Sequence, residues 1–502
     1  MKNNISYWSS SVKFKDYPRL EGEVSVDAAI IGGGMAGICA AYMLKSRGLK
    51  VAVLDANKIG QGNTANTTAK ITWQHDLCYD RLINEHGAGK ALLYKQANSD
   101  ALEMYRKIIN ENNIACDLIK ADSYVFATTD KYEKDIQKEL KAAQKLGIEM
   151  DIVTNIELPI SIRSAIRVND QAEFHPLKFI AALCELIEGD GSFLFENTVV
   201  TEVVRDNEII TDIGHIKAKY VVIATHYPII NIPGFYFLKM YQHRTQVIAF
   251  KGKALAGGYC AAEENGFCFR SQPLEDGDLI IMDGADYKTG HAGNTTFYDI
   301  VEKAAREYFG KIDVLYRWSA QDCMPIDYLP YIGRYSKLTP NMYVTTGFAK
   351  WGMSTSMAGA EIIADLITTG KSKYEDLYNP SRFDPISSVA EFLPQLGDIT
   401  INLTAGLLKL AKDKLSEIKN GEAGIVNIDK HRVGLYKDEN GKEYAVNATC
   451  AHLGCALAFN NDEQTWDCPC HGSRYDINGK ALEAPTVRPI DRLEIADKDK
   501  IK

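Results

Sequence analysis

The 502-residue sequence lacks several features that would define other classes of protein. It has no uninterrupted apolar run long enough to cross a bilayer, and residues 1–17 contain no apolar stretch leading to a small-residue cleavage site. It has no large basic cluster and its net charge is −9, which argues against nucleic acid as the main partner. Eleven cysteines are too few for a secreted disulfide scaffold. We therefore expect a cytoplasmic protein without a transmembrane segment.

The composition is that of a globular protein with an ample core. Hydrophobic residues make up 46% of the chain and charged residues 25%. A chain of this length exceeds one ordinary domain. The motifs in the sequence divide the chain into several parts.

Two short segments near the C-terminus each combine cysteine with histidine. Residues 450–455 read Cys-Ala-His-Leu-Gly-Cys, and residues 468–473 read Cys-Pro-Cys-His-Gly-Ser. Two thiolates and two imidazoles are the ligand set of a Rieske [2Fe–2S] centre. The same residue types would also suit tetrahedral zinc. Zinc sites usually group cysteine with cysteine and have no need of Cys455 and Cys470, so the pattern favours the cluster.

Both segments resemble the cluster-binding loops of the Rieske family. The ligands that this resemblance implies are Cys450, His452, Cys468 and His471. It also implies a disulfide between Cys455 and Cys470, a pair found in the respiratory branch of the family and usually lacking in the oxygenase branch. We expect the two imidazoles to lie on the outer side of the cluster, within electron-transfer reach of another redox centre.

The N-terminal region predicts a βαβ unit that binds a dinucleotide. Residues 26–31 and 51–54 are short apolar strands, and between them Gly32-Gly-Gly-Met-Ala-Gly37 opens a helix. Glycines of this Gly-x-Gly-x-x-Gly pattern let the backbone approach a pyrophosphate at the helix N-terminus. Asp55, directly after the second strand, is placed to accept hydrogen bonds from a ribose.

The loop that follows the second strand, residues 60–70, is small, polar and suited to contact a long cofactor. Together with the βαβ unit it resembles the D-amino-acid oxidase/glycine oxidase superfamily of FAD enzymes. The alternative is an ordinary solvated loop. The cofactor-binding residues that the motif and the resemblance imply are Gly32, Gly34, Met35, Ala36, Gly37, Asp55, Gly62, Thr64, Thr67, Thr68, Val200, Ala224, Thr225, Gly352 and Met353.

The middle of the chain alternates apolar and polar residues, as in an antiparallel sheet. Such a sheet covers the flavin ring in the superfamily, so its polar side chains become candidates for the substrate pocket. These candidates are Tyr241, His243, Arg244, Tyr259 and Arg270. About half of such residues are expected to be structural instead.

A later stretch resembles the last flavin-binding element of the superfamily. Residues 342–356 run from a strand through Gly347 into a helix, whose positive N-terminus would favour the anionic reduced flavin. Lys350 and Trp351 are the candidates to reach the ring. Cys323 does not match the spacing of a covalent flavin anchor and is interpreted as a core cysteine.

The predicted fold class is an α/β FAD-binding Rossmann-like domain with an interleaved α+β substrate domain, plus a small all-β Rieske domain. The FAD-binding part takes residues 1–95, 166–235 and 321–370, and the substrate domain takes 96–165 and 236–320. A connector, 371–420, leads to the Rieske domain at 421–502. Within it, residues 400–418 predict an amphipathic helix that either docks the Rieske domain or lies on a membrane surface.

The combination predicts an FAD-dependent dehydrogenase. Its substrate would be a small amine or amino acid that gives a hydride to FAD. The electrons would then pass singly to the cluster, whose family has potentials of roughly −150 to +300 mV, and on to an external protein or quinone. A single dinucleotide fingerprint disfavours an NAD(P)H-fed reductase. The alternatives are a flavin oxidase with a docking or redox-sensing Rieske domain, and an electron-transfer protein fed by a partner.

Overall fold

The computed structural model describes residues 4–204, 207–382, 418–428, 431–497 and 500–501. The α-helices in these ranges are α1 (Tyr7–Ser11), α2 (Met35–Ser46), α3 (Asn63–Asn66), α4 (Tyr79–His86), α5 (Ala88–Glu111), α6 (Asp130–Leu146), α7 (Pro176–Ile187), α8 (Phe297–Phe309), α9 (Gly352–Thr369) and α10 (Glu375–Tyr378). Short 3₁₀ helices cover Tyr236–Leu238 and Pro380–Arg382.

The strands form two large sheets and, near the C-terminus, several small ones. Strands before residue 383 are β1 (Gly22–Ile31), β2 (Val51–Leu54), β3 (Lys70–Ile71), β4 (Ile119–Ala127), β5 (Asp151–Val153), β6 (Ser164–Glu173), β7 (Phe193–Phe195), β8 (Val200–Val203), β9 (Glu208–Thr211), β10 (Gly214–Ile223), β11 (Met240–Gly252), β12 (Gly257–Ala261), β13 (Cys268–Gln272), β14 (Asp278–Lys288), β15 (Val314–Pro325), β16 (Tyr331–Ser336) and β17 (Thr339–Thr346). The later strands are β18 (Ala423–Ile428), β19 (His431–Lys437), β20 (Glu443–Asn447), β21 (Ala458–Asn460), β22 (Thr465–Asp467), β23 (Arg474–Asp476), β24 (Ala481–Glu483), β25 (Arg492–Leu493), β26 (Ile495–Asp497) and β27 (Lys500–Ile501).

Sheet I has the strand order β16-β17-β10-β1-β2-β7. In addition, β9 pairs with β10, and β8 pairs with β9. The pairings of β1 with β2 and β10, of β2 with β7, and of β10 with β17 are parallel. The last four residues of β1 are buried, as expected for a strand covered on both faces. Helix α2 crosses from β1 to β2 and packs against α7 and α9. Parallel strands place their carboxyl ends at one edge, which is where ligands bind in such sheets.

Sheet II is mainly antiparallel, with the order β15-β11-β14-β13-β12-β4-β6-β3 and β5 beside β6. The long strand β11 alternates its side chains between two faces. Ile248 and Phe250 join the cluster that packs under α8, whereas Val247 and Ala249 join the central core shared with sheet I. Sheet II thus presents one face to α8 and the other to the interior of the molecule.

The C-terminal module contains two four-stranded antiparallel sheets, β18-β19-β20-β25 and β21-β22-β23-β24, and a hairpin of β26 and β27. One of its small cores surrounds Trp466 and includes Cys450, Cys455, Cys468 and Cys470. The two Cys/His segments therefore lie together at one end of the module, with their four cysteines buried.

The architecture agrees with the predicted fold class, and differs from the sequence interpretation in detail. Residues 297–309 form helix α8 inside the range interpreted as antiparallel sheet, because Val301, Ala304 and Ala305 recur on one helical face and pack on sheet II. Strands β3, β6 and β15 of sheet II reach into ranges assigned to the FAD-binding part, and the domain division stays a prediction. Residues 400–417 of the amphipathic helix expected at 400–418 lie outside the described residues.

Candidate active site and cluster site

A cavity of about 520 Å³ lies at the carboxyl edge of sheet I. Its lining includes Ile31 and Leu54, the last residues of β1 and β2, and Ala224, which directly follows β10. Sheet II contributes Thr245 and further residues, and the C-terminal module contributes residues between 480 and 489. The cavity is therefore enclosed by all three parts of the chain.

The cofactor residues proposed from the sequence gather around this cavity. Those that line it are Gly32, Gly34, Met35, Ala36, Asp55, Gly62, Thr64, Thr67, Thr68, Val200, Ala224, Thr225, Gly352 and Met353. Gly37 does not line it. A Cβ on Gly37 would lie 1.9 Å from the carbonyl oxygen of Gly32, so this glycine allows α2 to pack closely on β1.

At one end of the cavity, the N-terminus of α2 has the features of a phosphate site. Its N-cap, Gly34, offers no side-chain cap, and the Met35 amide donates to Thr64 Oγ1 at 2.8 Å. Asp55 accepts from the Gly33 amide at 2.8 Å and from the Asn57 amide at 2.8 Å. Burial raises the pKa of Asp55, and these two amides oppose that shift. The small side chains and the open helix end fit a dinucleotide pyrophosphate.

At the other end of the cavity, the first turn of α9 lines the wall through Gly352, Met353 and Ser356. The preceding Lys350 has a left-handed backbone with φ of 74°, which turns the chain sharply into the helix. The Trp351 ring stacks on His75 with ring centroids 4.7 Å apart, and Trp351 is not among the lining residues. A second helix N-terminus thus points at the cavity.

Lys350 lies in a strongly acidic environment. Its ammonium pairs with Asp286 Oδ2, and Asp286 Oδ1 accepts a 2.5 Å hydrogen bond from Thr245. Burial lowers the pKa of Lys350, but the carboxylates around it outweigh burial and raise it. Asp283 and Asp322 also line the cavity and interact electrostatically with this ammonium.

The other substrate candidates lie elsewhere in sheet II. The Tyr259 ring stacks on Tyr124 at 4.6 Å, and the Tyr241 ring packs against His243 at 5.1 Å. Arg270 is buried, where it faces Glu173 and donates to the carbonyl of Ala69 at 2.8 Å. None of these side chains lines the cavity.

Three further cysteines are Cys323, at the cavity, and Cys260 and Cys268, in sheet II. Cys323 is buried, as expected for a core cysteine, and it forms part of the cavity wall. Cys260 and Cys268 form a disulfide across the paired strands β12 and β13, which the sequence did not indicate because their spacing of eight residues matches no known motif.

In the C-terminal module, the four proposed ligands come together. The rings of His452 and His471 lie 5.0 Å apart, and Cys455 and Cys470 form a disulfide between the two loops. Within the described residues, Nδ1 of each histidine is buried without a hydrogen-bond partner. Two orphaned imidazole nitrogens beside two buried free thiols, Cys450 and Cys468, fit a [2Fe–2S] cluster with one Cys pair and one His pair.

The cluster loops face the rest of the chain. His452 Nε2 lies 2.7 Å from Asn231 Oδ1, and the Phe237 ring meets the His471 ring edge-on at 6.0 Å. Gln242 Nε2 donates to the carbonyl of His471 at 2.6 Å and to that of Ala484 at 3.1 Å. Since Ala484 lines the cavity, one side chain connects the cavity wall to a cluster loop.

A buried ion network holds the module in place. Arg244 pairs with Glu463 at 2.5 Å, and Arg474 pairs with the same carboxylate at 2.5 Å and with Glu483 at 2.8 Å. Burial raises the pKa of Glu463, but Arg244 and Arg474 outweigh it and hold the pKa at about 2. Arg244, a candidate for the substrate pocket, therefore binds the C-terminal module instead of lining the cavity.

Several site residues were not identified from the sequence. They are Asn231, Gln242, Asp283, Asp286, Gln321 and Asp322. These residues belong to no motif. Only the pairing of β11 with β14 and β15 brings most of them together, so no local signal could have singled them out.

Together, a dinucleotide site at a parallel sheet and a two-cysteine, two-histidine site define a flavin-dependent oxidoreductase with an iron–sulfur module. The chain belongs to the FAD dependent oxidoreductase (DAO) family, whose model matches residues 27–366, and residues 409–494 match the Rieske [2Fe-2S] domain. The predicted cofactors, FAD and a Rieske [2Fe–2S] cluster, are thereby confirmed, as is the predicted enzyme class.

Known proteins resemble both the whole chain and its larger part. A Rieske 2Fe-2S iron-sulfur protein of Bacillus subtilis (strain 168), YhfW, is 34% identical over 98% of this chain and 97% of its own length. Gamma-glutamylputrescine oxidoreductase of Escherichia coli (strain K12) is 21% identical over 75% of this chain and 92% of its own. The crystal structure of glycine oxidase from Geobacillus kaustophilus, at 17% identity, covers 72% of this chain and all of its own with a TM-score of 0.61, which shows a shared fold.

Within the described residues, no helix combines the length and apolar character needed to cross a bilayer. The cytoplasmic location, and the peripheral membrane association considered for residues 400–418, stay predictions.

Proposed function

We propose that the protein oxidises the C–N bond of a small amine or amino acid, with FAD as hydride acceptor, and passes the electrons singly through its [2Fe–2S] cluster to an external acceptor. The observation that carries this proposal is the contact between the two sites. Gln242 donates to both the cavity-lining Ala484 and the cluster-loop residue His471. A short connection of this kind is what internal electron transfer requires.

The similar proteins support the substrate class. One is named for gamma-glutamylputrescine and another for glycine, and both names denote compounds with a C–N bond open to oxidation. The acidic group of side chains around Lys350, at the α9 end of the cavity, supplies polar contacts for such a substrate.

The cavity walls suggest how FAD is held. We assign the pyrophosphate to the N-terminus of α2 near Gly34 and Met35, and the ribose to Asp55. Val200 lines the cavity, and by the family resemblance the backbone of its strand would pass the adenine. Gly352 and Met353 at the N-terminus of α9 would face the pyrimidine end, where a positive helix end stabilises negative charge.

The two histidines support an orientation of the cluster toward the FAD-binding part. His471 is buried and His452 is in contact with Asn231. Next to His452, Leu453 is 43% exposed and Gly454 is also exposed. We assign this exposed rim to the external one-electron acceptor, since it is the outer surface nearest to a ligand.

The test is anaerobic mixing of the holoprotein with a panel of amines and amino acids, followed by absorption and EPR spectroscopy. We expect the flavin to bleach and the cluster then to develop the EPR signal of its reduced form. If a substrate bleaches the flavin while the cluster signal never changes, internal transfer is wrong. If no compound bleaches it, the dehydrogenase assignment is wrong and a partner-fed electron carrier is favoured.

A further inference from the structure

The α9 end of the cavity carries more acidic than basic groups. The aspartates that interact electrostatically with Lys350 are Asp76, Asp283, Asp286 and Asp322. The other cations that interact with these aspartates are Lys70, through Asp76 and Asp283, Arg81, through Asp76, and Arg244, through Asp322. At the α9 end of the cavity, Asp283 and Asp322 belong to the described lining, and Lys350 is the member of this charged group that lines the cavity with them.

The carboxylates differ in the hydrogen bonds and ion pairs that they make. Asp286 is fully engaged by Lys350 and Thr245. Asp322 has a single long contact, 3.4 Å from Asn63 Nδ2. Asp283 Oδ1 is buried and has no hydrogen-bond partner among the described residues, although Asp283 lines the cavity. An unpartnered buried carboxylate oxygen at a cavity wall indicates a missing donor.

The same wall is poorly equipped to bind an anion. Buried carboxylate ligands are best held by the forked guanidinium of arginine. The described lining residues include no arginine, and their cations are Lys350 and Lys480. Lys350 is already paired with Asp286, and Lys480 is exposed on the C-terminal module. An incoming carboxylate would meet Asp283 and Asp322 without a free cation to offset it.

We infer that this end of the cavity binds an ammonium cation that carries no carboxylate beside the reacting carbon, and that Asp283 and Asp322 select it. This inference rests on the proposed function and narrows its substrate from amines and amino acids to alkyl amines or diamines. Both aspartates come from sheet II, on β14 and β15, the two strands that pair with β11 on either side, and both line the cavity.

The pKa shifts of the two aspartates agree with this assignment. Burial raises the pKa of Asp283, against the opposing effects of Lys70 and Lys350. Burial, Asp286 and Asp283 raise the pKa of Asp322 to about 7, against the opposing effects of Lys350 and Arg244. A bound ammonium group would favour the ionised form of both carboxylates.

The experiment compares n-butylamine and 1,4-diaminobutane with glycine, sarcosine and L-proline on the oxidised holoprotein. Binding is followed by perturbation of the flavin absorption spectrum, and turnover by anaerobic bleaching. We expect the two amines to bind, and the three amino acids to bind at least about tenfold more weakly. Asp283→Asn and Asp322→Asn should each weaken amine binding by about tenfold or more, with FAD content unchanged. Asp278→Asn, at the start of β14 and away from the cavity, is the matched control and should bind like the wild type.

The outcomes distinguish failure of the proposed amine recognition from failure of the proposed function. If the amines bind with this dependence on both aspartates but no compound bleaches the flavin, the recognition inference stands and the proposed function fails. If amino acids bind better than amines, or if both Asn variants bind amines normally, the inference is overturned while oxidation of another substrate class survives. Failure of every compound to bind also overturns it.

Discussion

The absence of a side chain at Gly37 sets the geometry of the cofactor site. The residue lies in α2, and its Cα faces the carbonyl oxygen of Gly32 at the end of β1. Gly32 itself has φ of 109°, a conformation that favours glycine. The helix N-terminus can therefore reach the cavity only because neither position carries a side chain.

We predict that Gly37→Ala displaces α2 and reduces FAD binding. A Cβ 1.9 Å from a carbonyl oxygen forces the helix outward, which should cost about 1–3 kcal/mol of stability. FAD per chain, measured by absorbance after denaturation, should fall below that of the wild type, together with the melting temperature. Gly89→Ala is the control, because this helical glycine of α5 has open space around it and the change should leave FAD content intact. Full FAD occupancy in Gly37→Ala would contradict this account.

Individual residues also mark the limit of prediction from sequence. The ligand set of the cluster and the cofactor fingerprint depend on short local patterns, so Cys450, His452 and Gly32 could be singled out directly. Arg244 could not be assigned correctly, because an arginine in an alternating strand is equally suited to a pocket or to a partner surface. Its partner, Glu463, lies 219 residues away in another module, and the sequence around Arg244 does not indicate that pairing.

At the scale of elements, β11 and β15 act as the platform for a cluster loop. Gln242 of β11 accepts from Gln321 of β15 at 2.8 Å, and each glutamine donates to the backbone of the loop, at His471 and at Gly472. Adjacent strands hold two donors at a fixed spacing, which positions the loop more rigidly than a surface contact would. The alternation in the middle of the chain predicts an antiparallel sheet, and β11 belongs to one, but its pairing with β15 depends on long-range contacts that alternation alone does not specify.

We predict that Gln242→Leu slows electron transfer from flavin to cluster without removing either cofactor. The carbonyls of His471 and Ala484 would lose their donor, which should cost about 1–3 kcal/mol and reduce the population of the docked module. Stopped-flow absorption after anaerobic reduction of the flavin should show the transfer step slowed by about tenfold. Gln144→Leu, on the exposed face of α6, should transfer electrons at the wild-type rate. An unchanged rate in Gln242→Leu would exclude this role for the glutamine platform.

At the scale of the whole molecule, docking depends on charges that are buried between the parts of the chain. Arg244 and Arg474 share Glu463, and Asp462 accepts from the Phe297 amide at 2.6 Å at the start of α8. Burying such a charged group without its partner costs free energy of desolvation. The charges on each side of the interface therefore need their partners on the other side. The module is thereby held in one orientation with its histidines toward the FAD-binding part.

We predict that Glu463→Gln lowers the free energy of unfolding by roughly 3 kcal/mol at pH 7, because it leaves two buried guanidinium groups without their shared carboxylate. The pKa of Glu463 is depressed in the folded state, so its contribution is complete above the ordinary pKa of 4.5 and is lost as the pH falls toward about 2. Denaturant unfolding of both proteins between pH 7 and pH 2 should therefore show a difference that shrinks with acidification. A difference that is constant with pH would mean that Glu463 acts by packing alone.

The residues between 480 and 489 that line the cavity have a consequence for how the protein is assembled. The C-terminal module is synthesised last, yet it supplies one wall of the chamber for a cofactor whose phosphate site is built from the first seventy residues. FAD entering a chain whose module is already docked would have to pass that wall. We therefore expect flavin insertion to precede docking of the module. We also expect retention of the bound flavin to depend on a domain far from the fingerprint glycines in the sequence.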